Sequence, residues 1–181
     1  MLRKSLVVGV ACFLMTLIVA CSGGSANSTQ TSDGIEIVGD ANFASWTIEA
    51  LQLISDHAPN AYTEVLDSIR TITSVEAGSG INVRTKVFRV GDVTAHAPSH
   101  EPRLQLIWYA GTIVHDACHG ARYERGVEYS GKEAELACMA VQKQALIRLG
   151  GDTYMPRYIQ DLIDGADDPA NQYWSAANRH W

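Results

Sequence analysis

His115, Asp116 and His119 stand together in the run Ile113-Val114-His115-Asp116-Ala117-Cys118-His119. Imidazoles and carboxylates bind divalent metals and carry protons near neutral pH. In a helix, residues four apart share one face, a turn apart. His115 and His119 would therefore offer two ligands to a single ion, and a third must come from another element. Two acids follow at a workable distance, Glu133 and Glu135. Asp116 sets a further carboxyl beside the first histidine. The bland reading is an exposed histidine pair, followed by acids that simply favour a helix N-terminus.

The elements that must hold these groups are legible as two helices. Arg103 to about Tyr123 carries Leu104, Ile107, Trp108, Gly111, Val114 and Cys118 at helical spacing, and Gly126 ends it. The small residues Ala110 and Gly111 would admit a close neighbour. A second helix runs from Ser130 to Leu149 and stops at Gly150-Gly151. Ser130 and Glu133 fit a capping box, which would turn Glu133 back onto the backbone. Glu135 shares a face with Met139, Gln142 and Leu146, so Glu135 is the preferred third ligand.

Upstream, Ile35–Val38 reads as a short strand. A helix capped by Asn42 or Ser45 runs to His57, and Pro59 opens another. Strands are expected at about Ile72–Glu76 and Ile81–Val90, then a loop from Thr94 to Pro102. His96 and His100 fall in that loop and read as surface residues. A shorter helix is expected at about Arg157–Ile163, and the aromatic tail (Tyr173, Trp174, Trp181) is expected to pack on the domain. The fold class is α+β, mostly helical with a small β-sheet, in which one histidine-bearing helix faces a glutamate-bearing one.

His115-Asp-x-x-His119 with a glutamate on the following helix resembles the gluzincin branch of zinc metallopeptidases. The resemblance covers about Thr112 to Leu149. It implies a zincin-like domain in which His115, His119 and Glu135 hold Zn²⁺ and Asp116 is the general base. It also implies a peptide or protein substrate. The sequence departs from that family at Asp116, where the usual residue is a glutamate, one methylene longer. Tyr123, Tyr154 and Tyr158 are possible oxyanion donors, and nothing in the sequence selects one.

The N-terminus gives an address. Arg3 and Lys4 precede a nearly unbroken apolar run, Leu6 to Ala20, that ends Ile18-Val19-Ala20-Cys21. This resembles the lipobox of bacterial lipoproteins. It implies a signal peptide over residues 1–20, lipid on Cys21, a flexible tether over 21–34 and a single domain over 35–181. The protein would be exported to the bacterial cell envelope and held to a membrane through its lipid anchor. Loss of residues 1–20 removes Arg3 and Lys4 and no acid, so the net charge goes from −6 to −8. An acidic domain of this kind is a poor partner for nucleic acid. Cys12 leaves with the signal, and Cys118 and Cys138 remain as one pair in an oxidising compartment. A disulfide between them would tie the two helices beside the metal. The alternatives are two free buried thiols or a structural Cys/His zinc site, the latter disfavoured because Cys118 and His119 point about 100° apart on a helix.

Other readings compete. His115-Asp116 also resembles the pair in HD-type phosphohydrolases, which need a further helical histidine upstream and a later aspartate. Only His96 and His100 in a loop, and Asp152 after a glycine break, are at hand. His115-Asp116-Ala117-Cys118 resembles the catalytic helix of secreted phospholipase A2, but the glycine-rich calcium loop that should precede it is replaced by apolar helix. The rival of another class is a non-catalytic envelope lipoprotein that binds metal or another ligand on the same scaffold.

Overall fold

The structure is a computed structural model and describes residues 28–91 and 99–168. The expected signal segment, Cys21, His96, Tyr173, Trp174 and Trp181 lie outside the described residues. No helix among the described residues is long and apolar enough to cross a membrane.

The architecture is α+β, a mixed five-stranded sheet with helices packed on one face. β1 (Ser28–Ser32) and β2 (Ile35–Gly39) form a hairpin, β3 is Thr71–Ser74, β4 is Gly80–Asn82 and β5 is Val87–Val90. The order across the sheet is β1-β2-β3-β5-β4. The central pairings, β2 with β3 and β3 with β5, are parallel, and the outer ones are antiparallel. Ile35, Ile37, Ile72, Phe88 and Val90 are buried, whereas Glu36 and Arg89 between them are exposed. That alternation marks a sheet with one face on the core and the other in solvent.

Two helices, α1 (Ala41–His57) and α2 (Pro59–Ser68), make the crossover from β2 to β3. Asp40 caps α1 by accepting from the Phe43 N–H at 2.8 Å, in place of the expected Asn42 or Ser45. Then come α3 (Pro102–Glu124), α4 (Lys132–Arg148) and α5 (Tyr154–Asp164), followed by a single 3₁₀ turn, Gly165–Asp167. α3 is the central helix and packs against α1, α2, α4 and β4. Its middle is fully buried from Leu106 to Gly111. Gly111 permits the close approach of α4, because a Cβ there would stand 2.7 Å from Leu146 Cδ2.

Three expectations are corrected. Residues 28–32, assigned to the flexible tether, are an edge strand. Asp33-Gly34 is a hairpin signal, and Asp33 takes the positive φ of +47° that such a turn requires. The single strand expected over Ile81–Val90 is a hairpin, β4 and β5. The Asn82 side chain accepts from the backbone N–H groups of Arg84 and Thr85, both at 3.1 Å, and Lys86 turns the chain with φ +57°. Finally, α4 begins at Lys132 with Gly131 as its cap, and no side chain caps it. Ser130 thus lies outside the helix, and the capping box with Glu133 does not form.

Candidate metal centre

The site is built on the second half of α3 and the first turn of α4. α3 is amphipathic in an unusual sense. Its buried face continues past the apolar residues into Asp116 and His119, which are 7% and 6% exposed. α4 lies along that face and buries Glu135, at 4%. A disulfide joins Cys118 to Cys138, with Cα atoms 5.5 Å apart. It ties α3 next to His119 and α4 one turn after Glu135, so the two ligand-bearing segments are braced at the level of the site.

The three side chains converge. His115 Nε2 and His119 Nε2 are 3.1 Å apart. Glu135 Oε2 is 3.2 Å from His115 Nε2, and Oε1 is 3.1 Å from His119 Nε2. One ligand atom from each residue lies within 4.8 Å of the others. Ligands bound at about 2.0–2.1 Å to a tetrahedral zinc ion stand about 3.3 Å from one another, so the donor set fits such an ion with little movement.

The charge balance makes the same point. His119 Nδ1 lies 2.7 Å from the Tyr129 carbonyl, which can only accept, so Nδ1 carries the proton. In the neutral ring Nε2 then bears a lone pair, and it faces a carboxylate oxygen. That contact is repulsive unless a cation stands in the cluster, either as protons on the rings or as a metal ion. The carbonyl on Nδ1 is the outer partner that orients a metal-binding histidine.

Among the protein groups alone, burial opposes ionisation of Glu135. Hydrogen bonds and charge from His115 and His119 outweigh it and hold the carboxyl down at about 2. Burial likewise opposes the charged form of His119, but Glu135, the Tyr129 carbonyl and Asp116 raise its pKa above the ordinary value. Asp116 behaves differently. Burial lifts it to about 6; the charges of His115 and His119 pull it down, Glu135 pushes it up, and a hydrogen bond from the Ile81 backbone pulls it down. Two carboxyls one helix apart are thereby held in opposite proton-affinity regimes.

Of the residues singled out in the sequence, His115, His119 and Glu135 come together and Asp116 lies beside them. Glu133 is exposed and outside the cluster. His100 is exposed and takes no part. Tyr123 packs edge-on against Tyr129, and Tyr154 stacks on Tyr158. Two contributors were absent from the sequence reading, the Tyr129 carbonyl and the Ile81 N–H. Both are backbone groups that every non-proline residue carries, so residue type gives no signal for them. The one available clue was Asn82, whose turn brings β4 to the sheet edge above α3.

No family model, curated protein or solved structure matches this chain. The site stands on its geometry.

Proposed function

We propose that the protein is a zinc-dependent hydrolase of the gluzincin type, acting on peptide bonds and tethered in the bacterial cell envelope by lipid on Cys21. The observation that carries this reading is the convergence of His115, His119 and Glu135 from two helices, with His119 Nδ1 fixed on a carbonyl. The donor set, two imidazoles and one carboxylate, suits a borderline ion such as Zn²⁺ with three protein ligands. Zn²⁺ held there would supply Lewis acidity, which polarises a carbonyl and lowers the pKa of water to about 7.

Asp116 then has a proton-transfer role. In the metal-free cluster burial raises its carboxyl to about 6, which makes it a stronger base toward a proton of attacking water than an ordinary aspartate. It would return that proton to the leaving amine nitrogen. Burial beside β4 raises the basicity of this shorter side chain.

One observation favours a second reading, a non-catalytic metal-binding lipoprotein. The Asp116 carboxyl is hydrogen-bonded by the Ile81 N–H, and that bond ties α3 to β4. Asp116 would then be a clasp between helix and sheet edge.

The discriminating experiment uses the full chain purified in detergent. Metal content and hydrolysis of a peptide library are measured for the wild type and for Asp116→Asn. Stoichiometric zinc in both, with hydrolysis only in the wild type, supports the enzyme. Zinc without hydrolysis in either supports the second reading. No metal, even after zinc is added back, sinks both. A Cys21→Ser variant that still takes up a fatty-acid label would overturn the anchor.

A further inference from the structure

The connection between α3 and α4 is short and heavily bonded. The charged side chain that reaches its far end is Arg122, three residues past His119 on α3. Arg122 Nε donates to the Glu128 carbonyl at 2.5 Å. The Gly126 N–H donates to the Tyr123 carbonyl at 3.0 Å, and the Val127 N–H to the Arg122 carbonyl at 3.1 Å. The Tyr123 and Tyr129 rings meet edge to face, with centroids 5.0 Å apart. The next carbonyl after Glu128 belongs to Tyr129 and accepts from His119 Nδ1 at 2.7 Å.

These contacts form a closed loop. It starts at His119, runs one turn along α3 to Arg122, crosses to the Glu128 carbonyl and returns through Tyr129 to the imidazole. Removing the Arg122 side chain would release the Glu128 carbonyl and leave the Tyr129 peptide to the Val127 N–H bond two residues upstream, one ring contact, the imidazole itself and the start of α4. A histidine ring has two nitrogens, and the one that keeps its proton is set by the partner of the other. A carbonyl that drifts no longer makes that choice.

We propose that Arg122 is a positioning residue for His119. It holds residues 127–129 so that the Tyr129 carbonyl fixes the rotation of the imidazole and keeps its proton on Nδ1, with Nε2 turned to the cluster. This deepens the metal reading above and rests on it for its functional meaning. A charge-assisted hydrogen bond to a main-chain carbonyl is stronger than a neutral one, which suits a brace at the surface end of a buried site.

The test compares wild type, Arg122→Ala, Arg122→Lys and Arg125→Ala in the full chain. Arg125 bonds to the Ala121 carbonyl and to Glu64, so its loss perturbs the same helix end without touching residues 127–129. Two quantities are read, Zn²⁺ affinity by chelator competition and the His119 tautomer by nitrogen NMR of the metal-free protein in alkaline buffer. Arg122→Ala is expected to weaken Zn²⁺ binding about 10–100-fold, the usual effect of losing an outer-sphere partner, and to mix the tautomers. Arg122→Lys should restore part of both, and Arg125→Ala should match wild type. Wild-type values in Arg122→Ala, or an equal loss in Arg125→Ala, would overturn the proposal. If wild type binds no zinc, the metal reading fails, and the tautomer still decides the role of Arg122. Proton on Nδ1 in wild type and mixed in the variant upholds it, and no difference overturns it. If the alanine variant does not fold, Arg122→Met, which keeps the aliphatic stem, takes its place.

Discussion

The two halves of α3 are buried to the same degree for opposite reasons. From Leu106 to Ile113 the helix is covered by apolar neighbours, and the Tyr109 hydroxyl is matched by Thr47 Oγ1 at 2.9 Å. From Asp116 to His119 it is covered as completely, but around charge. Burial of apolar surface is favourable without a partner, whereas burial of ionisable groups is costly unless each is paired. The first half therefore stabilises the fold. The second half is tolerated by it, through the disulfide, the Tyr129 carbonyl and the mutual pairing of His115, His119 and Glu135. A region that costs stability and is nonetheless braced from several sides is where chemistry is expected.

The sharpest way to separate the halves is to remove a ligand. His119→Ala should weaken Zn²⁺ binding by more than about a hundredfold, beyond what an outer partner is worth, and should also lower the melting temperature of the metal-free protein, because the buried Glu135 carboxylate loses a partner. Chelator competition and a thermal melt read the two effects. In the other half, Ile107→Ala should cost about 2–5 kcal/mol in denaturant unfolding and leave zinc stoichiometry intact. Equal loss of metal in both variants would mean that the halves are not independent.

The brace comes next. Converting Cys118 and Cys138 together to alanine opens a loop closed across 20 residues and should cost about 3 kcal/mol. It should also loosen zinc binding, since the two ligand helices are then held by packing alone. Denaturant midpoints and zinc affinity on the same samples test this.

A smaller effect should appear in the pH dependence of the metal-free protein. Burial raises Asp116 from its ordinary value to about 6, so its contribution to stability falls as pH rises from about 4 to about 6. Glu135 has the opposite sign. Burial alone would raise it, but the histidines hold it near 2, so its contribution is full above about 4.5 and is lost as pH falls toward 2. Asp116→Asn should remove the falling limb and keep the acid one, as followed by denaturant titrations of the metal-free protein from about pH 2 to about pH 7, which span both shifts. The least effect belongs to Glu133→Gln. It should change zinc affinity and stability by no more than about 0.5 kcal/mol, because the side chain is exposed and outside the cluster.

The elements that carry the site were legible in the sequence because their signals are local. The apolar period from Leu104 to Cys118 marks α3, Pro59 marks the start of α2, and Gly150 marks the end of α4. His115 and His119 are neighbours by helical geometry alone, whatever surrounds them. The face shared by Glu135, Met139, Gln142 and Leu146 pointed inward for the same reason, and all four are buried. The errors arose where a short stretch had two local solutions. Ile81–Val90 is β-branched enough for one strand, and the Asn82 turn splits it. Ser28–Ser32 is polar enough for a tether, and pairing with β2 orders it.

What the chain determined by itself was the inventory: two imidazoles on one turn, acids on the next helix, a cysteine on each of those two helices and an α+β pattern. Tertiary structure alone decided how far apart the candidate ligand atoms stand, and that Asp116 is lifted while Glu135 is held down. It also decided which backbone groups, those of Ile81 and Tyr129, hold the site in place. The physical reason is range. Helical periodicity and turn chemistry act over a few residues, whereas desolvation, charge coupling and backbone partners depend on what long-range packing brings within a few ångströms.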